Sequence, residues 1–198
     1  MPSSFVRTAV VLLCVALVSG CGEPPDKELH QAQGAIAAAR AAGAERYAAD
    51  EYKAAIDALA RADTAVAERD YRLALNNALD ARERAQNAAR EAADRKAAAR
   101  GRAERLLAET TTALAAATAR IEAAHAAQLP RKSLTAASDG VVAVQRALQE
   151  AGAALGREDY QEAQRILEPQ IAAARAIVLQ VDQAIAERPT AKPARRAR

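Results

Sequence analysis

Cys21 is the one residue of this chain whose surroundings argue for a covalent role. It follows an apolar run from Ala9 to Val18 and the small pair Ser19-Gly20. The run is about ten residues, half of the ~20 that cross a bilayer as a helix and the size of a secretory h-region. Arg7 supplies a positive charge ahead of it. Ser19 and Gly20 let an extended backbone enter a peptidase site, so cleavage is expected just before Cys21. The other cysteine, Cys14, lies inside the segment to be removed, which leaves one mature thiol and no intramolecular disulfide.

No other residues assemble into a reactive constellation. His30 and His125 are far apart and neither has a Cys or His neighbour at ligand spacing, so no metal site is predicted. Thr110-Thr111-Thr112 and Ser133 lack the glycine-flanked elbow that exposes a nucleophile. The pairs Asp50-Glu51 and Glu158-Asp159 fall at helix starts, where capping and the macrodipole account for them. The eight glycines are scattered, so no phosphate loop exists. No catalytic residue and no cofactor is predicted, and the chain reads as a non-enzyme.

The pentapeptide Leu17-Val18-Ser19-Gly20-Cys21 resembles the lipobox of bacterial lipoproteins. That resemblance implies a diacylated Cys21, with palmitate-type chains, as the mature N-terminus. An ordinary signal peptide, or a buried apolar segment holding a cysteine by chance, is the alternative. Gly22 stands where the family's sorting rule places the Asp that favours inner-membrane retention, which implies the periplasmic face of the outer membrane.

The far end carries the second chemical preference. Arg188, Lys192, Arg195, Arg196 and Arg198 give five positive charges in 11 residues with no acid. Two prolines and the lack of large apolar residues predict a disordered tail. For an exported chain the anionic partner would be lipid headgroups, lipopolysaccharide phosphates or cell-wall acids, at ~1 kcal/mol per charge near a bilayer. Compartment argues against nucleic acid. A solubilising terminus with no partner is the alternative.

Positioning these ends falls to helices. Of 198 residues 58 are alanine, against four Tyr, one Phe and no Trp. Such a bias predicts an all-α fold with thin packing layers, since a buried Ala removes far less apolar surface than a Leu or Ile worth ~1.5–3 kcal/mol. The net charge of +3 conceals a mildly acidic body: residues 21–187 hold 22 basic and 25 acidic side chains.

Pro24-Pro25 make residues 21–25 a stiff tether. A first helix is expected from Lys27 to Ala42, capped by Asp26 and ended by Gly43, with Leu29, Ala32, Gln33 and Ile36 on one face. Asp50 is expected to cap a second helix striped by Tyr52, Ile56, Leu59, Asp63 and Val66, and Asp70 a third. The third has no proline until Pro130 and one glycine, Gly101. If continuous to Leu129 it is a coiled-coil-like helix of 59 residues, with 26–128 forming a hairpin plus this long helix. Its stretch from Ala85 to Arg102 reads as solvated, supported by Glu91–Arg95, Arg90–Asp94 and Arg100–Glu104 at four-residue spacing. Leu107, Leu114 and Ile121 then recur every seven residues, with Ala103, Thr110, Ala117 and Ala124 between them, a seam for a helix partner or an oligomer.

Leu129-Pro130 breaks the pattern, and residues 129–187 read as a second hairpin repeating 44–98. A shift of 89 places Leu59 on Leu148, Ala62 on Ala151, Ala65 on Ala154, Asp70-Tyr71 on Asp159-Tyr160 and Ala74 on Ala163. Asp159 and Glu162 form a capping box, and Pro169 is expected to kink the last helix. The turns at Asp70-Tyr71-Ala74 and Asp159-Tyr160-Ala163 resemble the start of the second helix in tetratricopeptide-type hairpins, which implies small Ala at the helix contact.

Residues 26 to about 100 resemble an uncharacterised Ala-rich helical domain of bacterial envelope lipoproteins, sometimes joined to peptidoglycan-binding domains of the OmpA type. The matching residues are Glu28-Leu29, Ala42-Gly43-Ala44, Tyr47, Tyr52, Leu59 and Asp70-Tyr71. The resemblance implies location and fold and carries no chemistry. The residues and resemblances together predict a membrane-anchored helical spacer or adaptor of the envelope. A tetratricopeptide-like module holding a peptide or envelope protein in the periplasm is the alternative.

Overall fold

A computed structural model of the chain describes residues 23–187. Among them lie six α-helices and no strand: α1 (Asp26–Ala41), α2 (Ala44–Tyr47), α3 (Ala49–Ala67), α4 (Tyr71–Ala126), α5 (Arg131–Gly156) and α6 (Tyr160–Ala186). None of these helices is long and apolar enough to cross a membrane. The long helix α4 is unbroken through Gly101 and holds 56 residues. Helix α6 likewise continues through Pro169 as one element.

The chain packs as two units, the first reaching Arg95 and the second starting at Lys96, so the boundary falls inside α4. Leu129-Pro130 separates two helices but not two packing units, because Ala117, Ile121 and Ala124 before it share a core with Leu134, Val141 and Val144 after it.

The first unit is a three-helix bundle of α1, α3 and the first half of α4. Ala32, Ala58 and Ala81 meet at its centre with Leu59 packed against them. Apart from Tyr52, its buried face on these two helices is made of alanine: Ala55, Ala58, Ala62 and Ala65 on α3, and Ala74, Ala78, Ala81, Ala85, Ala88 and Ala92 on α4. Spacings that alternate between three and four keep one seam facing the neighbouring helices. Of the stretch from Ala85 to Arg102 that reads as solvated, Ala85, Ala88 and Ala92 therefore supply core while none of residues 93–102 is buried, and Ile56 and Asp63, placed on the expected stripe of α3, are exposed. Methyl side chains let helices approach closely and leave the larger apolar residues at the flanks.

Ion pairs lace the outside of this unit. Arg61 pairs with Asp80 at 3.3 Å and Arg84 with Glu51 at 3.7 Å, both joining α3 to α4. Arg82 donates to Gln31 Oε1 at 2.6 Å and joins α4 to α1. Glu91–Arg95 forms as the spacing predicts, at 2.6 Å. Arg90 bonds to Asn87 instead of Asp94.

The second unit is built alike from the second half of α4, α5 and α6, with larger side chains. Leu134, Val144, Leu167 and Val181 are its largest fully buried apolar residues. The small heptad positions Ala103, Thr110, Ala117 and Ala124 are all fully buried. Arg120 of α4 is ion-paired to Asp182 of α6.

The turns repeat atom for atom. Asp70 N donates to Ala65 O at 2.9 Å and Arg69 N to Val66 O at 3.0 Å; 89 residues on, Asp159 N donates to Ala154 O at 2.9 Å and Glu158 N to Leu155 O at 3.0 Å. Arg69 and Glu158 both take positive φ, at 62° and 58°. These bonds cap the last carbonyls of α3 and α5 in the Schellman manner. Asp70 Oδ1 then accepts from Leu73 N at 2.9 Å, and Asp159 Oδ1 from Glu162 N at 3.1 Å, so both aspartates start the next helix. Asp26 and Asp50 differ: each lies in the first turn of its helix, whose N-caps are Pro25 and Ala48 without a side-chain bond.

Candidate functional site

The residues with the strongest chemical argument, Cys21 at one end and Arg188, Lys192, Arg195, Arg196 and Arg198 at the other, lie outside the described residues. Among the described residues, Gly43, Tyr47 and Tyr52 of those singled out by sequence gather at the elbow between α1 and α3. Gly43 turns the chain there with φ 85°, the left-handed region that glycine enters freely. Ala48, at φ −143°, breaks the helical path between α2 and α3.

Side chains from four helices lock this elbow. Arg40 Nε donates to both Glu45 Oε1 and Tyr52 Oη at 2.9 Å. The Tyr52 hydroxyl, then Glu45, hold the Arg40 guanidinium above its ordinary pKa, so its charge is permanent. Arg95 Nη1 reaches from α4 to the Tyr47 carbonyl at 3.0 Å, next to the break at Ala48. The Tyr47 ring is buried, its hydroxyl has no hydrogen-bond partner, and the Arg46 guanidinium lies 5.9 Å from its centroid. This arrangement holds α1 and α3 at a fixed angle. It presents no nucleophile beside a base.

The remaining polar candidates are engaged in structure. Thr111 and Thr112 donate their hydroxyls to Leu107 O at 2.7 Å and Ala108 O at 2.9 Å, whereas Thr110 is fully buried with its hydroxyl unpartnered. His30 and His125 are exposed. No three His, Cys, Asp or Glu side chains lie together as a metal cluster among the described residues. Glu158 accepts from Lys96 Nζ at 2.6 Å, which holds its carboxyl below the ordinary range. Glu162, bonded to Arg165 at 2.6 and 2.8 Å, is lowered for the same reason.

Open grooves mark the surface of the described residues. One, between α3 and the start of α4, is bordered by Arg61, Thr64, Glu68 and Leu73. A second, at the α4–α5 turn, involves Leu129, Pro130, Ser133 and the end of α6 at Gln183 and Glu187. A third runs between α4 and α6 with a lining of Ala108, Ala113, Ala116 and Val178 that also includes Glu109 and Arg175. No sequence motif pointed to the third, because alanine and threonine on a helix carry no signal of their own. Tyr160, by contrast, is buried with Ala103, Ala154 and Ala163.

The chain matches no curated protein and no solved structure at a significant level. One family model does match, over the elbow, the Asp70-Tyr71 turn and the first half of α4, the stretch that sequence alone set apart. Residues 27–105 are similar to the family described as Domain of unknown function (DUF4398).

Proposed function

We propose that this chain is an exported, membrane-anchored bacterial envelope lipoprotein whose helical body serves as a non-enzymatic spacer or adaptor, held at the periplasmic face of the outer membrane. The observation that carries the reading is Leu17-Val18-Ser19-Gly20-Cys21 after a short apolar run, which supplies an acylation site and no spanning helix. The body supports it by being helix throughout, with α4 lending one helix to each of two units. Tyr160 favours spacer over peptide-binding module, because a buried core tyrosine is not available to a groove. In this reading the five cations of residues 188–198 engage an anionic layer of the envelope.

Growth of the expressing bacterium with labelled palmitate tests the anchor. The chain is expected to carry the label and to sediment with membranes in high salt, and Cys21→Ser is expected to abolish both. An unlabelled wild-type chain would sink the reading. Crosslinking in membranes, compared between wild type and Cys21→Ser, identifies what the body meets once it is anchored.

A further inference from the structure

The two units can be read against each other position by position. From α3 onward the shift is 89 residues: Ala55, Ala62, Ala74, Ala88 and Ala92 fall on Val144, Ala151, Ala163, Ile177 and Val181, all buried in both units. For α1 against the second half of α4 the shift is 85. There Leu29, Ala32, Ile36 and Ala39 fall on Leu114, Ala117, Ile121 and Ala124, and the turn residue Gly43 on Gln128, both with positive φ. The four-residue difference arises because α5 runs straight on where the first unit breaks at Ala48. One turn of helix is close to four residues, so the buried face is preserved.

This correspondence exposes a difference on one outer face. In the first unit that face presents Lys27, Glu28 and Gln31 on α1, with Arg82, Gln86 and Arg90 on α4. The same positions of the second unit are Thr112, Ala113 and Ala116 on α4, with Ile171, Arg175 and Leu179 on α6. One scaffold is solvated there and the other is nearly uncharged. Leu179 is 63% exposed, the most exposed large apolar residue described. Beside it runs the groove of about 450 Å³ between α4 and α6.

We propose that this face of the second unit docks a second copy of the chain. Charge selects that occupant. The groove's lining includes one anion, Glu109, and one cation, Arg175, both exposed, and neither forms an ion pair among the described residues. A two-fold contact across the groove sets each copy's Glu109 against the other's Arg175, so one self-complementary surface makes two ion pairs. The small side chains at 108, 112, 113 and 116 let the second copy's helices approach closely, and Leu179 fills the space that remains. A partner of uniform charge would satisfy one of the two and oppose the other.

Sedimentation equilibrium of the purified chain under reducing conditions tests this. A dimer is expected, and Leu179→Glu is expected to weaken it at least about tenfold. Glu109→Arg and Arg175→Glu, each alone, should weaken it about tenfold, and the two together should restore it to within about threefold of wild type. Leu179→Gln serves if the glutamate variant loses helicity, and Arg90→Glu at the matching position of the first unit should change nothing. A chain that stays monomeric to about 0.5 mM overturns the proposal. So does a dimer indifferent to Leu179, a double reversal no better than the single ones, or a monomer that uses Leu179 to hold a different protein.

Discussion

Ile177 Cδ1 stands 3.0 Å from the point a Cβ on Gly140 would occupy, and Ile177 Cγ1 stands 3.1 Å away. At the matching positions of the first unit the sizes are exchanged, with Glu51 in place of the glycine and the fully buried Ala88 in place of the isoleucine. Close approach of helices is thus reached twice with opposite partners bearing the bulk. Gly140→Ala is expected to destabilise the second unit by about 1–3 kcal/mol through overpacking. Ile177→Val in that background should recover part of the loss, a coupling visible in a double-mutant cycle from urea unfolding. Gly34 and Gly152, which have nothing within 4 Å of an added Cβ, should instead gain about 0.5–1 kcal/mol on replacement by Ala.

Among the described residues, the buried hydroxyls of Tyr47 and Thr110 lack a partner. Thr110→Val keeps the shape and removes the unsatisfied oxygen, so it should stabilise by about 1 kcal/mol. Tyr47→Phe should be neutral or stabilising. Tyr52→Phe is the contrast, because it deprives Arg40 of its 2.9 Å acceptor and should cost about 0.5–1.5 kcal/mol. Equal effects of the two tyrosine substitutions on the unfolding midpoint would contradict the assigned bonds.

Arg69 and Gln128 hold φ of 62° and 61° at helix ends, where a Cβ is strained. Arg69→Gly and Gln128→Gly are each expected to raise stability by about 0.5–1 kcal/mol, since the relieved strain outweighs the added freedom of the unfolded chain. Replacement by Ala at the same positions should give no such gain. Thermal unfolding of the four variants separates backbone relief from side-chain loss.

These particulars show what local sequence can and cannot encode. Gly43, Asp70 and Asp159 were legible because each acts on its own backbone within a few residues. The core of the first unit was only partly so: Tyr52 of the expected stripe is buried and Leu59 packs against the core, but Ile56 and Asp63 face outward, and the rest of the buried face is Ala55, Ala58, Ala62 and Ala65. Alanine suits a core and a surface equally, and only the approach of a second and third helix decides which. The shift of 89 was readable from Asp70-Tyr71, whereas the shift of 85 was hidden behind the longer α5. Without it the charge-poor face around Leu179 has no internal standard against which to stand out. Cys21 and the basic tail were read entirely from sequence.

Glu158 gives the pH dependence its sign. Lys96 donates to its carboxylate at 2.6 Å and, with a smaller contribution from Arg100, holds its folded-state pKa below the unfolded value. A depressed carboxylate contributes stability that is fully present above the ordinary carboxylate range and is lost as pH falls through the folded value. Wild type should therefore exceed Glu158→Gln in unfolding midpoint at pH 7, and the gap should close in acid below about pH 4. Glu158 is largely exposed and Lys96 half-buried, so the gap should be small and should shrink again as salt is raised. Glu162, lowered by Arg165, should behave in the same direction. A gap that widened on acidification would show that Glu158 is stabilised in its protonated form, contrary to the Lys96 bond.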